Sequence, residues 1–252
     1  MIEGMDTTEF EGKTALVTGA SRGIGAAVAL RLAEGGADVA FTYRHDAAAA
    51  ETVAGKIRAL GRSALALRAD SGDPAAIENA VDRTAAEWGR LDVLVNNAGV
   101  YVVGPLSDLG AADFDRSVAV NVRGPYLAAR AAARHMRGGG RIISVGSNVA
   151  DRTTFPGHTL YALTKTALTG MTKGLARDLG PLGITVNLLH PGPTDTEANP
   201  ADGPYAETVR GFTALGRYAT ADEIAAVVAH LASDAASYVT GAVVHADGGF
   251  TV

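Results

Sequence analysis

From Lys13 onward the chain alternates short runs of Val, Ile, Leu and Ala with longer segments whose apolar residues recur at helical spacing. The short runs fall at 14–17, 38–43, 64–67, 91–95, 141–145, 184–189 and 242–245 and predict seven strands. Helical period fills 24–33, 47–60, 74–88, 111–122, 126–136, 161–179 and 221–232, with Pro74 suited to the first turn of its helix. Strands that are apolar almost throughout must be covered on both faces. The pattern therefore predicts the α/β class: a doubly wound, seven-stranded parallel sheet between two layers of helices, a three-layer sandwich. Sheets of this kind bind ligands at the carboxyl ends of their strands.

Composition narrows the chemistry. The chain has 252 residues and no internal repeat or Pro/Ser-rich linker, which predicts one domain over 12–252. Residues 1–11, acidic and without a basic or apolar leader, predict a mobile tail. The formal net charge is −5 with no Lys/Arg-rich run, so no nucleic-acid partner is expected. No stretch approaches the roughly 18 apolar residues of a membrane span, which predicts a cytoplasmic protein without membrane contact. Cysteine is absent, excluding disulfides and thiolate chemistry. The six histidines include no pair three or four apart, so no metal is expected; His158 and His190 read as packing or loop residues. The segment 195–216 interrupts the alternation near the end of a late strand and predicts a lid over the cleft.

The first predicted strand runs directly into Thr18-Gly19-Ala20-Ser21-Arg22-Gly23-Ile24-Gly25 and then a helix. Glycines let a backbone approach a pyrophosphate closely, and the helix start offers unpaired N–H groups and the positive end of a dipole. The segment predicts dinucleotide binding. NAD-selective sites place a carboxylate at the tip of the second strand. Here that strand ends Thr42-Tyr43-Arg44, and Asp46 reads as the cap of the next helix. Arg22 and Arg44 are two guanidiniums suited to a 2′-phosphate, which favours NADP(H), with NAD(H) as the alternative.

Tyr161 and Lys165 lie four apart at a helix start, on one face. An ammonium beside a phenol favours the phenolate, making the tyrosine a readier proton donor to a carbonyl. Asn96-Asn97-Ala98-Gly99 closes the fourth strand, and Val120-Asn121-Val122, Gly146-Ser147-Asn148, Pro191-Gly192 and Asp247-Gly248-Gly249 follow in order. Together with the glycine loop, this series resembles the short-chain dehydrogenase/reductase family over nearly the whole chain, from about Gly12. The resemblance implies a Rossmann-like fold and an NADP(H)-dependent oxidoreductase acting on a carbonyl or secondary alcohol. It implies a catalytic tetrad of Asn121, Ser147, Tyr161 and Lys165: Tyr161 as acid, Ser147 as donor to the carbonyl oxygen, Lys165 on the nicotinamide ribose, and Asn121 holding a relay water. It also implies cofactor contacts from Gly19, Ser21, Arg22, Gly23, Ile24, Gly25, Tyr43, Arg44, Asp70, Ser71, Asn97, Ala98, Gly99, Tyr161, Lys165, Pro191, Gly192, Thr194 and Thr196.

Several alternatives stay open. Asn121 could plug a helix kink, Asp70 could cap the following helix, and Asn97 with Gly99 could form only a turn. Ser147 to Tyr161 is one residue longer than in many relatives, so Asn148 competes with Ser147, as Thr194 does with Thr196 for the carboxamide. Family members of this size suggest a 3-oxoacyl ketoreductase; an alcohol or sugar dehydrogenase is the second reading, and a non-catalytic nucleotide-binding scaffold the third. An enoyl reductase is disfavoured, because such relatives space Tyr and Lys more widely. Val102, Phe155, His158, Tyr205 and Phe212 are the expected substrate-cleft residues. The resemblance further implies a homotetramer or homodimer packed through the Ala/Gly-rich faces of 123–137 and 161–180.

Overall fold

A computed structural model describes residues 9–136 and 138–252. Its seven strands are β1 (Thr14–Val17), β2 (Asp38–Tyr43), β3 (Ala64–Arg68), β4 (Val93–Asn96), β5 (Arg141–Val145), β6 (Thr185–Pro191) and β7 (Val243–Ala246). They form one sheet in the order β3-β2-β1-β4-β5-β6-β7, every pair parallel. The helices are α1 (Gly23–Glu34), α2 (Ala47–Ala59), α3 (Pro74–Trp88), α4 (Ala111–Val118), α5 (Gly124–Ala133), α6 (Thr159–Leu179), α7 (Ala206–Gly211) and α8 (Ala221–Ala232).

Strand residues alternate between two cores. Ala15, Val17, Val39, Phe41, Val93 and Val95 pack with α1, α2 and α8. Leu16, Ala40, Leu94, Ile142 and Val186 pack with α3, α5 and the last turns of α6. Strands β1, β4, β5 and β6 are buried on both faces, which is why they lack polar alternation, while the edge strands β3 and β7 are only partly covered. Local signals set the helix ends: Asp46 accepts from Ala49 N at 2.9 Å, as its assignment as a cap requires. Asp73, and not Asp70, caps α3.

Three departures from the sequence pattern have physical causes. Residues 1–8 of the expected tail lie outside the described residues, but its last part is core: Phe10 is fully buried and its N–H donates to Gly35 O at 2.7 Å. The predicted break between helices 111–122 and 126–136 is a continuous helical path with a π-turn at Ala119–Arg123. An α-turn there would need Pro125 to donate to the Asn121 carbonyl, and proline has no N–H. Strand β6 runs on through Pro191, past its last β5 partner, Leu189, so the missing N–H interrupts no ladder there.

Candidate functional site

The carboxyl ends of the strands open onto a cleft of ≈ 1450 Å³. That exceeds the about 300–1,000 Å³ of a typical single-ligand pocket and leaves room for more than one small ligand.

At one end the chain turns from β1 into α1 through residues 18–22. Two contacts explain the glycines. A Cβ on Gly19 would lie 2.9 Å from Ala98 Cα, and one on Gly25 would lie 2.5 Å from Asn97 Nδ2 and 2.6 Å from Gly19 O. Thr18 Oγ1 accepts from both Asn97 N and Ala98 N at 3.0 Å, while Asn97 Nδ2 donates to Thr18 O at 2.9 Å and Gly19 O at 3.0 Å. The exits of β1 and β4 are thus welded together, and the Asn97 amide is occupied by the loop. Arg22 sits at the N-cap of α1 without a side-chain cap bond, so the first-turn N–H groups are left for an anion. Ser21, Arg22, Gly23, Ile24 and Gly25 all line the cleft.

Tyr43, Arg44, Asp70 and Ser71 line it beyond the tips of β2 and β3. Arg44 Nε pairs with Asp70 Oδ2 at 2.9 Å, and Arg116 Nη1 reaches the same carboxylate at 3.2 Å. Burial acts to raise the Asp70 pKa, but the Gly72 N–H and the two guanidiniums outweigh it and hold the carboxyl below its usual range. Two arginines against one aspartate leave this corner positive.

Halfway along, α6 presents Tyr161 and Lys165 on successive turns. Lys165 Nζ donates to Val145 O at 3.0 Å and lies 5.7 Å from the centre of the Tyr161 ring. Ser147, at the exit of β5, donates to Asn148 Oδ1 at 3.3 Å and stands near the Tyr161 phenol. Burial pushes that phenol up to about 12, with Ser147 working against it. Burial also pulls Lys165 down to about 8. Desolvation is thus the largest influence on both groups, and it favours the protonated phenol.

Asn121 takes the reading of a plug. Its Oδ1 accepts from Val100 N at 2.8 Å, and its Nδ2 donates to Val100 O at 3.0 Å and Thr164 Oγ1 at 3.1 Å. The side chain plugs the π-turn and ties it to the exit of β4 and to α6. A Cβ on Gly99 would stand 3.5 Å from Asn121 Oδ1 and 3.6 Å from Lys165 Nζ, which places both beside the strand exit.

Pro191, Gly192, Thr194 and Thr196 complete the same wall. Thr194 is buried and its Oγ1 donates to Gly192 O at 3.0 Å, whereas Thr196 lies against Gly23 of the glycine loop. The segment 195–216 contributes Thr196, Asn199, Pro200 and Tyr205 to the rim and contains α7.

A family model described as enoyl-(acyl carrier protein) reductase matches residues 19–251. The fold superposes with a TM-score of 0.96 on a short chain dehydrogenase from Burkholderia cenocepacia J2315 in complex with NADP. The two are 52% identical over 97% of this chain and 100% of that one. The chain belongs to the short-chain dehydrogenase/reductase family. Among other short-chain dehydrogenases/reductases it resembles versicolorin reductase 1 of Aspergillus parasiticus, at 40% identity over 97% of this chain and 98% of the relative. It is also 45% identical to a cyclic-di-GMP-binding biofilm dispersal mediator protein of Escherichia coli K12, over 96% and 98%.

Several cleft residues of this short-chain dehydrogenase/reductase, Tyr101 and Arg116 among them, were not expected from the sequence. Tyr101 packs edge-on against the Tyr161 ring, centroids 4.9 Å apart, and its hydroxyl lies 2.7 Å from His158 Nε2. Its signal was available: it directly follows the β4 exit segment, one residue before the expected Val102. Val103 and Tyr101 line the cleft and Val102 does not. Phe155, His158 and Tyr205 take their expected places, while Phe212 stands behind Phe155 at 5.6 Å between centroids. Arg116 was invisible for another reason: only the tertiary fold brings α4 to Asp70. Among the described residues no helix is long and apolar enough to cross a membrane.

Proposed function

We propose that this chain is an NADP(H)-dependent ketoreductase, with Tyr161 protonating the carbonyl oxygen as the carbon is reduced. The observation that carries the reading is the meeting of Tyr161, Ser147 and Lys165 in the same cleft as an uncapped helix start and a glycine loop. A bound nicotinamide dinucleotide supplies the hydride. The glycine loop and α1 bind its pyrophosphate, where a Cβ at Gly25 would disturb the weld to Asn97. Arg22 and Arg44 hold a 2′-phosphate, supported by the positive corner around Asp70 and by the relative solved with NADP. Ser147 donates to the oxygen on which negative charge develops. Tyr161, protonated at neutral pH, transfers its proton to that oxygen. Lys165 binds the ribose and replaces the proton through the carbonyl side of Asn121.

The substrate class we favour is a 3-oxoacyl thioester. A second reading, an aromatic ketone, is favoured by the aromatic rim of Tyr101, Phe155, His158 and Tyr205. Initial rates of NADPH and NADH oxidation with matched panels of both substrate classes test the proposal. Turnover with NADPH is expected; NADPH binding without turnover of any carbonyl would replace the enzyme by a nucleotide-binding scaffold. We also propose a homo-oligomer, supported by exposed Tyr126 and Leu163 on the α5 and α6 surfaces; light scattering tests it.

A further inference from the structure

Behind the turn that carries Ser147, three side chains from distant parts of the chain converge, and none of them lines the cleft. His190 on β6 and His245 on β7 are direct register partners, so their side chains leave the same face of the sheet. Their rings stand at 89° with centroids 5.3 Å apart. Asp151, immediately after the turn Asn148–Ala150, brings its carboxylate against both: Oδ2 lies 2.7 Å from His190 Nδ1 and 2.9 Å from His245 Nε2. The two imidazole nitrogens and the carboxylate oxygen all lie within 4.8 Å of one another.

We propose that Asp151, His190 and His245 form a binding site for a divalent transition ion of the zinc or cobalt type, tying the turn after Ser147 to the ends of β6 and β7. Two imidazoles and one carboxylate are a donor set for such ions, whereas calcium and magnesium prefer oxygen alone. Three protein ligands leave a fourth position for water. An entry path exists, because His190 is buried while Asp151 and His245 are partly exposed. The buried ring has its polar business on this side: His190 Nε2 packs against Gly146 and has no hydrogen-bond partner among the described residues. An ion with bonds of about 2.0–2.1 Å holds tetrahedral ligand atoms about 3.3 Å apart, so the Asp151 contacts would open slightly while the two imidazole nitrogens, within 4.8 Å, draw to that spacing.

The test is isothermal titration of the full chain, free of any affinity tag and dialysed against chelator, with Zn(II), Co(II) and Mg(II). One Zn(II) or Co(II) per chain is expected, with Mg(II) failing to compete. Asp151→Asn and His245→Gln should each weaken the ion by about tenfold or more, with circular dichroism and NADPH binding confirming that both variants fold. Equal isotherms for wild type and variants, no Zn(II) binding to the wild type, or equal binding of Mg(II) would overturn the proposal. Histidine side-chain NMR of the unaltered protein gives a second reading that needs no variant. Zn(II) should shift His190 Nδ1 and His245 Nε2; shifts confined to His45, His135, His158 and His230 would overturn the site.

Discussion

At the glycine-loop end of the cleft, polar side chains hydrogen-bond the protein's own backbone; at the other end, rings line the cavity and touch one another. Thr18, Asn97 and Asn121 each make two or three bonds that fix main chain. Tyr101, Phe155, His158 and Tyr205 instead form a chain of ring contacts along the rim. The first arrangement suits a ligand whose shape never changes and which is met mostly by backbone. The second presents apolar surface whose shape depends on which rings are present, so it is where substrate choice can vary without disturbing the cofactor end. Tyr161 stands at the join, beside Ser147 and in edge contact with Tyr101.

The largest expected effect tests that join. Tyr161→Phe keeps the ring contact and removes the proton, so kcat should fall by about 10²–10⁴ while the Kd for NADPH stays within twofold of wild type, read by fluorescence titration. Residual activity near wild type would discard Tyr161 as the acid.

A pH profile separates the two titrating groups. Lys165 carries its charge below about 8 and loses it above, whereas the Tyr161 phenol at about 12 keeps its proton across that range. Reductive kcat/KM should therefore fall as pH rises through about 8, approaching about tenfold per unit for loss of one proton. A flat profile from neutral pH to well above that point would remove the Lys165 ammonium from the mechanism.

The cofactor end should be intolerant of volume. Gly25→Ala places a methyl group against Gly19 O and Asn97 Nδ2, and overpacking of this kind costs about 1–3 kcal/mol of stability. NADPH affinity should drop with it. Gly55→Ala, in α2 with nothing within 4 Å of the new atom, should instead stabilise by about 0.5–1 kcal/mol. Thermal melts of the two variants compare them; shifts of the same sign would contradict the welded-loop account.

The smallest effect belongs to the rim. Tyr101→Phe removes the hydroxyl contact to His158 and keeps the ring, so KM for the carbonyl should change a few-fold with NADPH affinity unaltered. A change in cofactor affinity of equal size would show that the two ends are not independent.

Much of this was legible because it is local. Strands that are apolar on both faces, a glycine loop joining one of them to a helix, and a Tyr–Lys pair one turn apart are fixed by bonds and contacts between near neighbours in sequence. So is the cap at Asp46; the cap of α3 was instead expected at Asp70, three residues before Asp73, which supplies it. The π-turn was within reach, since Pro125 lies four residues after Asn121, yet Gly124-Pro125 looks the same whether a helix stops or overwinds. Phe10 was misplaced with the tail because nothing local distinguishes an apolar residue that finds a pocket from one that does not.

By itself, then, the sequence determined the class of fold, the family resemblance and the order of the site residues, because periodicity and short motifs depend on backbone geometry over a few residues. The tertiary structure alone raised the Tyr161 phenol above its ordinary range, since desolvation depends on everything packed around it. It alone brought Arg116 to Asp70, 46 positions away, and Tyr101 to His158, 57 away. The gathering of Asp151 with His190 and His245, across 39 and 94 positions, follows the same rule. Strand register and helix packing set these distances, and neither is written in any one segment of the chain.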